Sequence, residues 1–503
     1  MDKNELVKSR INVFFGLLNG IVSSLQTLWF IPYVKSYLGT TAYGYIAVIN
    51  GIINTLMVIS LAIGAMSARF IVVELNKKEY SEANKYFNSD LFALLLLGFI
   101  TSIVGLIITF NLNSVMNVMP KFYREVQVLL LMTLFSFLLQ MIGSPFSASF
   151  YFTNSIYLNY IVYIIDYLSR IVFTVFLFHN GYVKLWTASF ASDIIYILAL
   201  LFYIFYCRKN IPQLKVTRLY FSVKHLLSIL KSGIWFSVST AGNMMLSSLS
   251  SYFANILCGV FITGVFSAIM QLNIIENVVL NVLVNASTSK MFELFSQKKD
   301  KELFTLIIEN MTIVGIFIGI ISGGIIVYGT DFMRFWMGNK FADYNLLIII
   351  TVVYLPLTLP SQIINQSFSV MNKVKVPAIA TIIFGFLNLL VAVILVRAFN
   401  LDIYGIALAT LIVQSLRDII FYPYYLFKTG YKFTFRICLP YMISVINLLV
   451  SISISCGIKK IVTPSTITNF AISVLLAGFI MAVVSYLLWN SLKRILYKNT
   501  WRE

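Results

Sequence analysis

The sequence predicts an all-α polytopic membrane protein with fourteen transmembrane helices. Three observations carry that expectation. The chain is 59% hydrophobic and only 11% charged, with a mean hydropathy of +0.88, more apolar surface than a soluble domain can bury. Its apolar residues gather in runs of about twenty, long enough to cross a hydrocarbon core of roughly 30 Å at about 1.5 Å per residue. Its cations collect in alternate connections.

The segments read as 11–34, 43–66, 89–110, 125–147, 156–178, 184–207, 233–257, 262–289, 305–328, 344–370, 377–397, 405–426, 438–457 and 469–490. The first follows Asp2, Lys3, Glu5, Lys8 and Arg10 and is too long for the apolar region of a cleavable signal. The opening decapeptide itself reads as a short interfacial helix with Leu6 and Val7 facing the lipid. The second segment begins after the GTT turn and ends before Arg69 and a lysine-rich tail with Lys77, Lys78 and Lys85. Segments three and four are joined by 111–124, and four and five by the uncharged SFYFTNS. Six and seven are joined by the longest connection, 208–232. The eighth segment repeats the second: VFITGVFSAIM, then Lys298 and Lys299, returns about 220 residues after AYGYIAVING and its lysines. A recurring unit of that size indicates two related halves.

With the N-terminus inside, the connections on the cytoplasmic side hold 26 of the 37 Lys and Arg, from Lys3 through Arg208, Lys215 and Arg218 to Arg502. The opposite side holds 9: Lys35, Lys121, Arg124, Lys184, Arg334, Lys340, Arg397, Lys459 and Lys460. This bias supports fourteen spans with both termini cytoplasmic. It also accounts for the net charge of +18 as topology and attraction to anionic inner-leaflet lipid, without nucleic acid. The four cysteines stand singly, without the spacing of a zinc site or disulfide scaffold, and His179 and His225 form no metal motif. HExxH, GxSxG and Walker-type patterns do not occur, so catalysis, a cofactor and a metal are not expected.

The remaining two cations, Arg170 and Arg417, lie inside apolar segments, as do Asp166, Asp193, Glu276 and Asp418. Ionisable groups at that depth cost about 2.5–3.5 kcal/mol or more each, so they face a protein interior or a wet cavity. Asp166 and Arg170, four apart, share a helix face and can pair. Either Arg170 offers its charge to an anionic substrate, or the pair neutralises itself so that the helix can insert. Arg417 and Asp418 are neighbours about 100° apart on a regular helix, which predicts that they do not neutralise each other face to face. Asn273, Asn277, Asn281 and Asn285 recur every four residues beside Glu276, either as interhelical packing amides or as a wall that hydrogen-bonds sugar hydroxyls. Arg69 at the cytoplasmic end of segment two either snorkels to headgroups or catches a phosphate. Lys290 is its near-equivalent in the second half.

Three passages resemble the polysaccharide transporters, the O-antigen-type lipid-linked oligosaccharide flippases of the multidrug/oligosaccharidyl-lipid/polysaccharide exporter superfamily. They are LGTTAYGYIAVINGI with LAIGAMSARFIVVEL, LPSQIINQSFSVMNKVKVPAIATIIFGFLNLLVAVILV, and DIYGIALATLIVQ. The resemblance spans nearly the whole chain. It implies two pseudo-symmetric six-helix lobes, 1–207 and 233–437, joined by a cytoplasmic linker 208–232, with two extra helices and a tail in 438–503. It implies alternating access around a cationic cavity, with an undecaprenyl-diphosphate-linked oligosaccharide moved from the inner to the outer leaflet of a bacterial plasma membrane. It further implies membrane lipids, a polysaccharide polymerase and glycosyltransferases as partners.

On this reading Arg69, Arg170, Arg417 and Lys290 would hold the diphosphate, with Asn273, Asn277 and Asn281 in the cavity. The ion-coupling candidates are Asp166, Asp193, Glu276 and Asp418. Relatives that flip the peptidoglycan lipid precursor carry several arginines in helices one, two and eight. Here helix one has none and helix eight has only Lys290 at its end, which favours another oligosaccharide and keeps a peptidoglycan lipid precursor flippase as an alternative. A drug or cation exporter of the same superfamily is the main alternative, with twelve helices and a more acidic cavity. A membrane glycosyltransferase or polymerase would need a large extramembrane loop, and a plain scaffold would not bury six ionisable residues.

Overall fold

The computed structural model describes residues 3–431 and 434–498; Asp2, Lys432 and Arg502 lie outside them. Among the described residues the chain is helical throughout, with turns and bends but no strand. Eleven helices are long and apolar enough to cross a membrane, or twelve if the bent pair Asn345–Thr358 and Ser361–Val370, turned by 47°, is one span. The expected count of fourteen is therefore not reached on length and apolarity. Segment two falls on Thr40–Asn76, and segment seven on Val223–Leu246 and Ser248–Cys258, broken at Ser247. The predicted interfacial helix at the N-terminus is not a separate element, because Lys3–Leu38 is one continuous helix; the side chains of Leu6 and Val7 lie outside the described residues.

Several helices outrun the bilayer. Thr40–Asn76 has 37 residues and Asp300–Met337 has 38, so each is roughly 55 Å long at about 1.5 Å per residue. Arg69, expected in a connection, therefore sits on a helix that continues to Asn76.

The repeat is written in the backbone. Gly39 and Gly259 precede their helices at φ +83° and +89°, a conformation open to glycine at little cost. At the far ends Lys78 and Lys298 take left-handed values of 65° and 56°. There Glu79 N–H donates to Glu74 O at 2.9 Å and Lys299 N–H to Leu294 O at 3.0 Å, the same Schellman-type closure. Further on, Asn154 and Asn372 are left-handed at 51° and 55°, and each is followed by a 23-residue helix, Tyr157–His179 and Lys375–Arg397. The two helix starts also touch reciprocally. A Cβ on Gly264 would meet Thr40 O at 2.6 Å, and one on Gly44 would meet the carbonyl of Val260. Residues 40 and 44 stand to 260 and 264 as equivalents, so the contact is self-complementary, as about a twofold axis.

The chain divides into two compact units, residues 1–267 with 381–386, and 268–380 with 387–503. The first holds two apolar clusters, one around Tyr45, Ile49, Leu94, Leu130 and Phe137, the other around Ile71, Phe87, Phe150 and Tyr203. The second is centred on Met291, Leu303, Ile307, Met311, Ile363 and Phe368. In it Gly315, Gly319 and Gly323 of Asp300–Met337 face Ser444, Asn447 and Ser451 of Cys438–Ile461, and a Cβ on Gly319 would sit 2.9 Å from Ser444 O. Small residues at every fourth position let two membrane helices approach closely.

Candidate functional site

In the first unit the polar chemistry gathers on the helix Tyr157–His179. Ile165, Leu168, Val172 and Phe176 are 46–67% exposed and, at about 100° per residue, share one side. Asn159, Tyr163, Asp166, Arg170 and Thr174 occupy the opposite side. Asp166 and Thr174 are fully buried there. The helix is therefore apolar outward and polar inward.

Asp166 and Arg170 pair, as their spacing predicts. Arg170 Nη2 lies 2.7 Å from Asp166 Oδ2 and its Nε donates to Oδ1 at 3.2 Å. The Tyr196 hydroxyl donates to Asp166 Oδ2 at 3.1 Å. One turn before Tyr196, buried Asp193 accepts from the Ser136 hydroxyl at 2.5 Å. Nearby, Asn159 Oδ1 accepts from Tyr203 at 2.6 Å. Three helices thus supply these neighbouring polar contacts, and the cation among them is not sealed. The Arg170 side chain is 33% exposed against 1% for Asp166. Its exposure lies on the inward, polar side, so this guanidinium has donors to spare.

Arg417 is arranged differently, and here the sequence expectation is corrected. Residues Leu416–Phe421 form a π-helical turn, wider than an α-turn by one residue. In that turn the two neighbours do neutralise each other. Arg417 Nε donates to Asp418 Oδ1 at 2.7 Å and Nη2 to Oδ2 at 3.2 Å. The guanidinium lies 5.5 Å over the Tyr422 ring, and the pair is 2% and 0% exposed. Gln362 Nε2 reaches Asp418 Oδ2 at 3.5 Å.

Glu276 is fully buried; its Oε1 accepts from Ser322 at 2.5 Å, while Oε2 has no hydrogen-bond partner among the described residues. The buried Tyr354 lies near both Glu276 and the Arg417–Asp418 pair. Along the asparagine stripe, Asn273 is buried and donates to Thr351 O at 3.4 Å. Asn277 donates to Asn273 O at 2.8 Å, and both Asn277 and Asn281 are exposed. Each four-residue step overshoots a turn by about 40°, which carries the stripe from buried to open. The Asn285 side chain lies outside the described residues.

Arg69 is exposed and makes no hydrogen bond or ion pair among the described residues. The backbone repeat aligns it with Ser289, one residue before Lys290. Lys290 is exposed and paired with Glu293 at 2.9 Å, and its hydrogen bond holds that carboxyl below the usual carboxylate range.

Sequence reasoning passed over Asp90, which is fully buried and accepts from Ser67 at 2.5 Å. It had fallen at the edge of an expected segment, but the helix starts at Tyr80 and carries it inside. The signal was the repeat, which places Ser287 and Asn310 at the matching positions. Among the described residues no group of three or more His, Cys, Asp or Glu could hold a metal ion, and the cysteines form no disulfide with one another.

No family model matches the chain. The uncharacterized membrane protein EpsK of Bacillus subtilis (strain 168) is 24% identical over 427 residues, covering 85% of each chain. Among solved structures, the lipid II flippase MurJ in an inward closed conformation is similar with a TM-score of 0.69 at 18% identity, over 96% of this chain and 98% of that one. An inward-facing multidrug resistance MATE family transporter of the MOP superfamily gives 0.68 at 13% identity, over 84% of this chain and 100% of its own. At these identities the likeness shows the fold alone, one shared with that MOP-superfamily transporter and with the lipid II flippase.

Proposed function

We propose that the protein is a flippase that carries an undecaprenyl-diphosphate-linked oligosaccharide from the inner to the outer leaflet of the bacterial plasma membrane by alternating access. The coverage of the two structural likenesses carries this reading. The multidrug transporter is matched along its whole length yet leaves 16% of this chain over. The lipid II flippase leaves 4%. The fuller coverage, at a similar TM-score, thus sides with the lipid II flippase.

A diphosphate cannot enter hydrocarbon without replacing its water. Arg170 supplies inward-facing donors within the membrane, and Arg69 would collect the anion from the cytoplasmic side, where the cation bias places it. Arg417 is already neutralised by Asp418, so the diphosphate role falls to Arg170 and Arg69. Glu276, without a cationic partner among the described residues, is the leading group for ion coupling. The reciprocal Gly44–Gly264 contact, together with Asn117 held to Asn255 at 2.9 and 3.0 Å, fits a carrier closed on the outer side.

The multidrug-exporter alternative keeps the support of a likeness of nearly equal quality. The two readings part in a strain lacking the gene. Loss of surface polysaccharide with lipid-linked repeat units held in the inner leaflet is the expected result. Normal polysaccharide with heightened drug sensitivity would overturn the flippase reading.

A further inference from the structure

The connection between helices Thr187–Asn210 and Val223–Leu246 is strapped along the helix Tyr80–Phe110 by side chains. Asn84 Nδ2 donates to Gln213 O at 2.8 Å while its Oδ1 accepts from Lys215 N–H at 2.7 Å. One turn on, Asn88 Nδ2 donates to Lys215 O and its Oδ1 accepts from Thr217 N–H, both at 2.8 Å. The Ser89 hydroxyl donates to Ser222 O at 3.0 Å and accepts from Ser222 N–H at 2.9 Å. The His225 ring closes the row between Ser222 Oγ and Glu82 Oε2, 2.7 Å from each. The geometry matches because four helical residues rise about 6 Å, close to two residues of extended chain at about 3.3 Å each. The asparagines thus stand in for a neighbouring β-strand.

This pairing leaves a strap whose backbone is satisfied at these positions and whose side chains are not covered. Leu214 is buried, but Val216 is 51%, Leu219 94%, Phe221 41% and Val223 58% exposed. Between them stand Lys215, Arg218 and Lys224, all exposed and without an ion pair among the described residues. A paired backbone with apolar and cationic side chains can enter a low-dielectric boundary without stranding polar groups. We propose that the strap is a membrane-interface anchor: Leu219, Phe221 and Val216 enter the acyl boundary of the leaflet, with Lys215, Arg218 and Lys224 among anionic headgroups. Unneutralised cations beside an apolar strip complement an anionic lipid surface. The strap also joins two apolar helices, so the headgroup layer is its nearest neighbour. Its assignment to the cytoplasmic leaflet rests on the cation bias.

A nitroxide at Leu219→Cys, with the four native cysteines replaced by alanine, tests this in the full-length protein. The probe vesicles are phosphatidylcholine with and without phosphatidylglycerol, and a label at Gln297→Cys serves as the aqueous reference. The expected result is collision with oxygen well above collision with a water-soluble nickel chelate, increased by phosphatidylglycerol. A label as open to nickel as the reference would overturn the proposal, as would an immobile one shielded from both reagents, which would indicate a protein partner. Lys215→Gln, Arg218→Gln and Lys224→Gln together should abolish the phosphatidylglycerol dependence without changing thermal stability. Asn84→Ala with Asn88→Ala should raise nickel access several-fold; an unchanged depth would overturn the asparagines' part.

Discussion

Arg170 and Arg417 are the same residue type, each inside an apolar helix and each paired with an aspartate of its own helix. Their surroundings differ in kind. Arg170 reaches one regular turn back to Asp166 and keeps a third of its side chain open, whereas Arg417 folds onto Asp418 in a π-turn and is closed off. The first arrangement tolerates the charge and leaves it usable. The second consumes it. A buried arginine is therefore not a substrate group by its residue type, and the backbone under it decides.

The comparison can be broken most sharply at the sealed pair. Arg417→Met strands the Asp418 carboxylate, a loss of about 3–5 kcal/mol for a buried pair deprived of one partner. It should appear as a fall in folded yield and in thermal stability in detergent. Arg417→Met with Asp418→Leu should recover most of that loss, since an apolar replacement of similar volume leaves no charge unpaired. A silent single substitution would mean that the pair is not sealed.

The glycine contact in the same unit comes next. Gly319→Val forces a side chain against Ser444 O, and overpacking of this kind typically costs about 1–3 kcal/mol. Thermal unfolding checks it, with Gly324→Val on the same helix as the control, since a Cβ there meets nothing within 4 Å.

At the open pair the expectation turns from stability to transport. Arg170→Ala should destabilise less than Arg417→Met, because Asp166 retains the Tyr196 hydroxyl and the group removed is itself a third exposed, yet it should remove most flipping. Tyr196→Phe removes one buried hydrogen bond to a charged group, worth roughly 1.5–3 kcal/mol. The smallest effect belongs to Arg69→Ala. Exposed and without a described partner, it should leave stability within about 0.5 kcal/mol while lowering transport if it receives the anion.

Much of this was legible in the sequence because a bilayer writes its thickness into the chain as apolar runs. Tyr157–His179 was expected at 156–178 and Lys375–Arg397 at 377–397. The i, i+4 spacing announced the Asp166–Arg170 pair. The hidden parts have physical causes. Helices continue past the hydrocarbon, which moved Asp90 from an expected edge into the interior. A π-turn has no composition of its own, so the angle between Arg417 and Asp418 was judged on an ideal helix. The partners Ser136, Ser322 and Tyr196 are ordinary residues whose role depends on packing between distant segments. The strap needed Asn84 and Asn88 to be set against residues 213–217, more than 120 positions away.

One comparison tests the account directly. A strain lacking the gene is complemented with wild type, with Arg170→Ala, or with the Arg417→Met and Asp418→Leu double variant, at matched protein levels. Surface polysaccharide and inner-leaflet lipid-linked repeat units are then scored. The account predicts near-normal polymer from the double variant, and lost polymer with accumulated precursor from Arg170→Ala. Full activity of Arg170→Ala, with a well-folded double variant inactive, would contradict it and make the sealed arginine the working one.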